Sequence, residues 1–320
     1  MITSAIMILI WIAVLYLSGR VIMDSLEKVA LISGVQKFIV SFLIMATIAS
    51  LPNLFVGITS AIDGVPQLSF GEIAGGNVID LTLALALAAL LSKKGISSRE
   101  KTTRVTAVFA GISGVLPFIL TLDGALTRAD GVILIGCFIA YMIWILGKRK
   151  RFEEIYENDG ARKMRRKDIL KEVIKAIFGM GLLLIASAGI VNEALSLSVA
   201  AGISIGAIGI LIVGLGNTLP ETYMAIASVR SGKQDLVLGN LLGSVITPTL
   251  LVLGIVALIS PFEIGDSSTF FITRIFLAIA VFFAVFFIWT GKKILKKEGI
   301  VLLLIYIAFL ASEALRIFLV

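Results

Sequence analysis

Apolar residues occur along this chain in long runs rather than in short alternating segments. A helix needs about 20 mostly apolar residues to cross the hydrocarbon core of a membrane, and ten runs approach or exceed that length. They lie near 3–19, 36–62, 69–92, 103–122, 129–147, 172–191, 199–229, 236–260, 268–290 and 298–319. The pattern therefore predicts an all-α polytopic membrane protein with ten transmembrane helices.

The charged residues lie mainly in the loops between these runs. Apolar residues make up 58% of the 320 positions and charged residues 15%, whereas soluble domains are roughly half apolar and a quarter charged. The loops after odd-numbered runs carry the cations, among them 93–104 and 148–167, and the others carry few. Because positive loops stay in the cytoplasm, we expect a multi-pass protein of the cell membrane with both termini outside. This accounts for the net charge of +7 without a nucleic-acid partner.

The two halves of the chain match each other at a shift of 168 residues. Ser50-Leu51-Pro52-Asn53 falls on Thr218-Leu219-Pro220-Glu221, and three glycines fall on glycines, at positions 64, 71 and 75 of the first half. Each half contains five predicted spans, an odd number, so the halves must be inverted relative to each other. This predicts five-helix repeats at 1–147 and 169–320, joined by a basic linker at 148–168. Inverted repeats are typical of secondary transporters, with the binding site near the membrane midplane.

Polar residues accompany the repeated prolines, Pro52 and Pro220, in the middle of their predicted spans. A proline inside a helix kinks it and releases the carbonyl four residues earlier, here those of Ile48 and Gly216. The same helical faces carry Ser50 and Asn53 in the first half and Asn217, Thr218 and Glu221 in the second. The following spans carry second polar faces at intervals of four residues, Glu72-Gly76-Asp80 and Asn240-Ser244-Pro248.

These faces together predict a cage of oxygen ligands for a cation. The candidate ligands are Ser50, Asn53, Glu72, Asp80, Asn217, Thr218, Glu221, Asn240 and Ser244. Oxygen donors suit hard cations such as Na⁺ and Ca²⁺, and carboxylates in mid-membrane usually have a function. The sequence contains no histidine and one cysteine, Cys137, with no recognisable nucleophile–base pair. We therefore expect neither enzyme activity nor a covalent cofactor.

Four segments resemble the motifs of the cation/calcium antiporter superfamily, which includes the Na⁺/Ca²⁺ and H⁺/Ca²⁺ exchangers. LGNTLPE (215–221) and SLPN (50–53) resemble its G-T-S-L-P-E motif, and LGNLLGS (238–244) and GEIAGGNVID (71–80) resemble its G-N-x-x-G-S-N-x-x-(N/D) motif. The resemblance covers essentially the whole chain. It implies a ten-helix bundle whose first and sixth helices slide past the rest, and a Ca²⁺ antiporter that works by alternating access with Na⁺ or H⁺ as counter-ion.

The chain departs from the family pattern at its acids. Asn53 stands where the family usually has glutamate, Glu72 replaces an asparagine, Asp80 is an acid where many members have asparagine, and Pro248 replaces an acid or amide. The acids thus look relocated, with Asp80 and Glu221 as principal ligands. Two carboxylates in a low-dielectric site can share a proton, so both Na⁺ and H⁺ stay open as coupling ions.

Several alternatives stay open alongside Ca²⁺ antiport. They are an exchanger for another cation, a cation channel on the same scaffold, a membrane-embedded enzyme, and a family member that binds ions without transporting them. Strict dependence on a counter-ion gradient separates an exchanger from a channel. The expected partners are inorganic cations and the lipid bilayer, and a monomer is compatible with the sequence. Outside the cage, Arg274 and Glu313 are candidates for a structural ion pair between the last two spans.

Overall fold

The computed structural model describes residues 2–32, 50–147, 166–232, 234–264, 267–291 and 293–319. Most of the predicted linker at 148–168 and the first half of the predicted span at 36–62 lie outside these residues. Within the described part, nine helical segments are long and apolar enough to cross a membrane. The prediction of a multi-pass, predominantly helical protein is thereby confirmed.

The described residues of the first part of the chain form six helices. They are α1 (Ile2–Ile32), α2 (Leu51–Ile62), α3 (Pro66–Ile79), α4 (Leu85–Leu91), α5 (Lys101–Leu120) and α6 (Arg128–Leu146). A π-helical turn, Asp80–Ala84, joins α3 to α4, so that 66–91 is one continuous span. A 3₁₀ turn, Thr121–Asp123, follows α5.

From residue 166 onward, the described part of the chain forms seven helices. They are α7 (Arg166–Ala201), α8 (Ile205–Ile208), α9 (Gly214–Arg230), α10 (Asp235–Thr247), α11 (Leu253–Ile259), α12 (Ser267–Thr290) and α13 (Lys296–Leu319). Two further π-helical turns, Gly209–Val213 and Pro248–Val252, join α8 to α9 and α10 to α11. Each pair again makes one span, 205–230 and 236–259.

The described spans agree closely with the apolar runs of the sequence. They are Ile2–Ile22, Pro66–Leu91, Lys101–Asp123, Arg128–Leu146, Leu170–Ala201, Ile205–Arg230, Leu236–Ile259, Thr269–Thr290 and Lys296–Arg316. For the remaining predicted run, 36–62, the structure describes the shorter apolar helix α2. A long apolar run is stable only in lipid or in a buried core. The ends of the run therefore indicate where the span begins and ends.

Among the described residues, two short antiparallel pairs of strands lie between the helices. β1 (Ile96–Ser97) pairs with β4 (Lys293–Ile294), and β2 (Ala125–Leu126) pairs with β3 (Phe262–Glu263). Each strand has two residues and lies between helices. The sequence analysis did not predict them, because two-residue pairings leave no periodic pattern to read.

The most buried helix is α3, which carries the first-half polar face. Its residues are buried from Leu68 to Ile79, and it packs against α8, α9, α12 and the turn Gly209–Val213. Two glycines permit the close approach: a Cβ on Gly71 would overlap the carbonyl oxygen of Gly206, and one on Gly75 would overlap that of Ile210. Close backbone packing through glycine is a common way for membrane helices to associate. It places the polar face of α3 in the centre of the protein.

The repeated prolines occupy different positions in their helices. Pro220 lies inside α9, as predicted. Pro52 lies in the first turn of α2, which begins at Leu51. The expected mid-span kink at Pro52 therefore concerns a segment whose earlier residues, including Ile48, are outside the described part of the chain.

The predicted ion pair between Arg274 and Glu313 is wrong. Glu313 is fully buried; it accepts a hydrogen bond from Thr273 Oγ1 at 2.7 Å and pairs with Arg316, whose Nη2 lies 2.8 Å from Glu313 Oε2. The guanidinium of Arg274 lies instead 5.5 Å from the ring centroid of Phe118, which suits a cation–π contact. Arg316 is three residues from Glu313 and on the same face of α13, so it reaches the carboxylate without a contact between helices.

Candidate cation-binding site

A cavity of ≈ 20 Å³ lies where α2, α3, α9 and α10 meet. One water-sized particle needs roughly 10–15 Å³, so the space suits small ions or water. Its lining is rich in oxygen and consists of Asn53, Glu72, Ile73, Gly76, Asn77, Asp80, Gly214, Asn217, Thr218, Glu221, Ser244 and Pro248. Among these described residues there is no lysine and no arginine.

One side of the cavity is the face of α3 on which Glu72, Gly76 and Asp80 follow at intervals of four residues. Residues four apart lie above one another on a helix, so both carboxylates point into the same space. Glu72 and Asp80 are each 2% exposed. The gap between them is Gly76, where a Cβ would come within 3.2 Å of Thr218 Cγ2. Glycine at this position therefore lets α9 approach the acids of α3.

The opposite side of the cavity is α9, which supplies Asn217, Thr218 and Glu221. Thr218 Oγ1 donates to the carbonyl oxygen of Gly214 at 2.9 Å, which leaves the lone pairs of the hydroxyl free for a cation. Pro220 precedes Glu221 and has no N–H to donate to the carbonyl of Gly216. The carbonyl of Gly216 therefore lacks its usual donor four residues later, but Gly216 is not among the lining residues of the cavity.

Asn217 connects α9 to both helices of the first half. Its Nδ2 donates to Asn53 Oδ1 at 3.3 Å and also to Glu72 Oε1. Because both hydrogen bonds use the nitrogen of the amide, Asn217 Oδ1 stays available as a ligand. The three side chains form one hydrogen-bonded group, which we call the Glu72 group.

Asp80 belongs to a second group, with Ser244 and Glu221. Ser244 Oγ lies 2.6 Å from Asp80 Oδ2 and 2.9 Å from the carbonyl oxygen of Leu241, and its single proton serves one of them at a time. The carboxylate of Glu221 is close enough to Asp80 for the two negative charges to interact. We call Asp80, Glu221 and Ser244 the Asp80 group.

Each of the three carboxylates has one buried oxygen without a hydrogen-bond partner among the described residues. These atoms are Glu72 Oε2, Asp80 Oδ1 and Glu221 Oε2. A buried carboxylate oxygen that nothing compensates costs several kcal/mol, so three in one cavity require an explanation. A hard cation supplies it, because Na⁺ and Ca²⁺ bind carboxylate, amide and hydroxyl oxygens. The donor set therefore fits a metal cation.

The three acids do not converge on a single point. In the part of the chain that the structure describes, no group of three or more acidic, histidine or cysteine side chains is placed to hold one metal ion. The division into an Asp80 group and a Glu72 group is consistent with that finding.

Most of the candidate ligands from the sequence line the cavity, namely Asn53, Glu72, Asp80, Asn217, Thr218, Glu221 and Ser244. Ser50 is buried at the start of α2 and is not among the lining residues. Asn240 is exposed on α10 and is likewise not among them.

Sequence reasoning missed Asn77. Its side chain lines the cavity and is 3% exposed, and its Nδ2 donates to Thr249 Oγ1 at 2.8 Å. Asn77 precedes Asp80 by three residues and so lies on the same helical face. The spacing of three residues from Asp80 was the feature of the sequence that could have identified Asn77.

Comparison with known proteins gives concordant results along the chain. The profile of the family described as "Sodium/calcium exchanger protein" matches residues 3–147 and 173–313. The chain is 25% identical to "Putative antiporter CaxA" of Alkalimonas amylolytica, over 97% of this chain and 98% of the relative. It is 26% identical to "Sodium/calcium exchanger MaX1" of Methanosarcina acetivorans, over 87% and 89%.

Two solved structures show the same fold. The sodium–calcium exchanger NCX_Mj aligns with a TM-score of 0.63 and 23% identity, over 97% of this chain and 99% of that structure. The H⁺/Ca²⁺ exchanger CAX aligns with a TM-score of 0.71 and 18% identity, over 97% and 86%. At these identities the likeness concerns the arrangement of the helices.

Proposed function

This chain belongs to the sodium/calcium exchanger protein family, and we propose that it is a secondary active antiporter that exchanges Ca²⁺ for Na⁺ or H⁺ across a membrane. The observation that carries the proposal is the central cavity, where three carboxylates each have a buried oxygen without a described partner. No basic side chain of the described lining neutralises them. The names of the relatives CaxA and MaX1 support the same activity.

In this proposal, Asp80 and Glu221 are the principal Ca²⁺ ligands. Their two charges match the charge of the ion, and Ca²⁺ accepts six to eight oxygen ligands in flexible arrangements. Ser244 and Thr218 add hydroxyl oxygens, and Asn53 and Asn217 add amide oxygens. Glu72, which lines the same cavity, stays a further candidate ligand. Ser50 and Asn240 stay candidates whose side chains do not line the cavity in this arrangement of the helices.

Exchange follows from the cost of an empty site. An uncompensated charge in mid-membrane is unfavourable, so the cavity changes its access from one side to the other when a cation fills it. The same acids bind either Ca²⁺ or its monovalent replacement. A ligand shifts the equilibrium between inward and outward access only if it binds the two states with different affinities. Here the step that is disfavoured is the change of access of the empty, negatively charged cavity.

We further propose that the architecture is two inverted five-helix repeats, 1–147 and 169–320, with ten transmembrane helices. The π-helical turns that begin at Asp80 and Pro248 support it, because they lie 168 residues apart. The packing of α4 on α13 and of α11 on α6 also corresponds at this shift. The strands β2 and β4 also correspond at this shift. β2 pairs with β3, and β4 pairs with β1.

The proposed orientation rests on charge alone. The cationic loops after odd-numbered spans support a cytoplasmic linker at 148–168 and termini outside the cell membrane. Accessibility of single cysteines introduced at each terminus to a membrane-impermeant reagent tests it, in a variant that lacks Cys137.

The test of function is uptake of radioactive Ca²⁺ into proteoliposomes that contain the purified protein. The vesicles are loaded with Na⁺, with protons at low internal pH, or with neither. We expect uptake under one of the two gradients, and that gradient identifies the coupling ion. The Glu221→Gln variant should lose uptake while it elutes as a folded, monodisperse protein. The matched control is Glu263→Gln, which changes an exposed acid of β3 outside the cavity and should transport as the wild type does.

Each other outcome contradicts the proposal in its own way. Uptake without a counter-ion gradient would indicate a channel. Uptake of a different cation alone would mean an exchanger for that ion, and no uptake of any ion would mean binding without transport. Unchanged uptake by Glu221→Gln would exclude this cavity as the site.

A further inference from the structure

The pairing of β1 with β4 brings together the loop before α5 and the loop before α13. These loops and the first residues of the helices that follow them carry exposed cations. The exposed cations are Lys93, Lys94, Arg99, Lys101, Lys296 and Lys297, and we call them the basic platform. Two segments that are distant in the sequence thus form one positively charged surface at one end of the molecule.

Hydrogen bonds hold the two loops of the basic platform in place. Ser98 Oγ donates to the carbonyl oxygen of Gly291 at 2.9 Å, which ties the first loop to the second. Arg104 Nε donates to the carbonyl oxygen of Ser98 at 2.8 Å. Trp289 Nε1 donates to the carbonyl oxygen of Arg104 at 3.1 Å. The cations are therefore attached to an ordered backbone rather than to two independent loops.

The charges of the basic platform have no structural purpose within the described chain. None of the six cations takes part in an ion pair between described residues. Lys101 begins α5 and Lys296 begins α13, where the positive end of the helix dipole disfavours a cation. The lysines thus act against the stability of these two helices, so a partner outside the chain explains them better.

The second pair of strands shows that the fold does not need these cations. β2 and β3 lie at the opposite end of the span Lys101–Asp123, and β2 corresponds to β4 at the 168-residue shift. Around that pair the described residues include the acids Asp123, Asp130 and Glu263, with Arg128 as the cation. The same backbone pairing therefore carries opposite charge at the two ends of the molecule.

The surroundings of the basic platform are those of a membrane surface. Trp289, Leu91 and Leu295 are about half exposed beside it, and tryptophan prefers the boundary between hydrocarbon and headgroups. Lysine and arginine next to membrane helices attract anionic lipids. The linker at 148–168 carries more basic than acidic residues, so its charge has the same sign as the platform and does not favour it as the occupant.

We propose that the basic platform binds the phosphate headgroups of anionic phospholipids in the leaflet that borders it. The lipids would attach the connections α4–α5 and α12–α13 to the membrane surface at a point fixed by the strand pairing. This inference goes beyond the proposed function and does not depend on which ion the protein transports.

The experiment uses the tryptophan fluorescence of the full-length protein in phosphatidylcholine vesicles. The vesicles contain a minor fraction of phosphatidylglycerol, or the same fraction of phosphatidylcholine, brominated on the acyl chains near the headgroup so that it quenches tryptophan. The difference between the wild type and Trp289→Phe isolates the emission of Trp289. We expect brominated phosphatidylglycerol to quench Trp289 severalfold more effectively than brominated phosphatidylcholine, with the difference reduced by high salt.

A pair of substitutions in the platform makes the test local. Lys296→Gln with Lys297→Gln should largely abolish the preference for phosphatidylglycerol, because each cation near an anionic membrane surface contributes a factor of about five to the affinity. The matched control is Arg20→Gln with Lys171→Gln, which removes two exposed cations of α1 and α7 and should leave the preference unchanged. Both pairs change exposed side chains, and elution as a monodisperse protein checks that they fold.

Each other outcome overturns the lipid site. Equal quenching by the two brominated lipids in the wild type would mean that the cations serve orientation only. An equal loss of preference in the platform pair and in the control pair would indicate a general attraction of the charged end of the protein. Displacement of the lipid by inorganic phosphate at constant ionic strength would assign the surface to soluble anions. Because none of these measurements involves Ca²⁺, their failure leaves the proposed antiport untouched.

Discussion

The helices α3 and α10 correspond at the 168-residue shift, yet they differ in burial and in charge. α3 is buried from Leu68 to Ile79 and brings Glu72 to the cavity, with Asp80 in the turn that follows. In α10, Gly239 and Asn240, which correspond to Gly71 and Glu72, are exposed. Of this helix and the turn that follows it, only Ser244 and Pro248 reach the cavity. The backbone feature that both share is the π-helical turn after the helix.

This difference shows that backbone geometry and ligand chemistry vary independently in the two halves. Both π-helical turns begin at the position that ends the polar face, Asp80 or Pro248, and such turns are frequent at functional sites. The carboxylates, in contrast, are concentrated in the first half, with one on α9. The charge that attracts a cation thus comes chiefly from α3 and its turn, and α10 contributes a neutral hydroxyl.

The largest expected effect on Ca²⁺ affinity comes from removing the carboxylate of Asp80, which lies in the half of the chain that brings two acids to the cavity. Asp80→Asn should weaken Ca²⁺ binding by more than about 100-fold, because Ca²⁺ affinity depends strongly on the number of ligand charges. Calorimetric titration of the purified variant measures it, with Glu263→Gln as control. If Asp80→Asn bound Ca²⁺ within threefold of the wild type, α3 and its turn would not be the main source of the binding charge.

The packing of the two helices predicts the next effect. Gly75→Ala places a methyl group on the carbonyl oxygen of Ile210, and forced overpacking typically costs about 1–3 kcal/mol. The counterpart Gly243→Ala meets no described atom within 4 Å, so we expect less than about 0.5 kcal/mol there. Thermal unfolding in detergent compares them, and equal melting temperatures would contradict the asymmetry.

Much of this arrangement is readable in the sequence, because it depends on periodicity. The apolar runs give the spans, and the four-residue spacing of Glu72, Gly76 and Asp80 places them on one face. Pro220 and Glu221, side by side, identify the middle of α9 as the segment that faces the cavity. These features are local, so packing between helices does not alter them.

What the sequence does not predict depends on contacts between distant segments. Arg274 has apolar partners because α12 presents it to Phe118, and no pattern in the chain encodes that orientation. The exposure of Asn240 likewise depends on which face α10 turns towards α9. The π-helical turns require one altered hydrogen-bond register, which composition does not reveal, although Pro248, with no N–H, gives one of them a physical cause.

A smaller effect is expected from the neutral side of the cavity. Ser244→Ala removes the hydroxyl 2.6 Å from Asp80 Oδ2, and a hydrogen bond to a charged group contributes about 1.5 kcal/mol at the low end. Ca²⁺ binding should therefore weaken about tenfold, well short of the loss in Asp80→Asn. Ser244→Thr keeps the hydroxyl and should bind more tightly than Ser244→Ala. A loss as large as that of Asp80→Asn would make α10 an equal partner in binding.

The smallest effect is expected on stability, from the hydrogen bond that joins α3 to the turn after α10. Asn77 of α3 donates to Thr249, in the π-helical turn after α10, at 2.8 Å, and both side chains are buried. Thr249→Val removes the acceptor at constant volume, which should cost about 1 kcal/mol of stability because the amide stays buried without its partner. Thr249→Ser keeps the hydroxyl and serves as the comparison in the same unfolding measurement. If the valine variant unfolded at the same temperature as the serine variant, the contact would not hold the two halves together, and the glycine packing of α3 against α8 and the turn Gly209–Val213 would be the principal link between them.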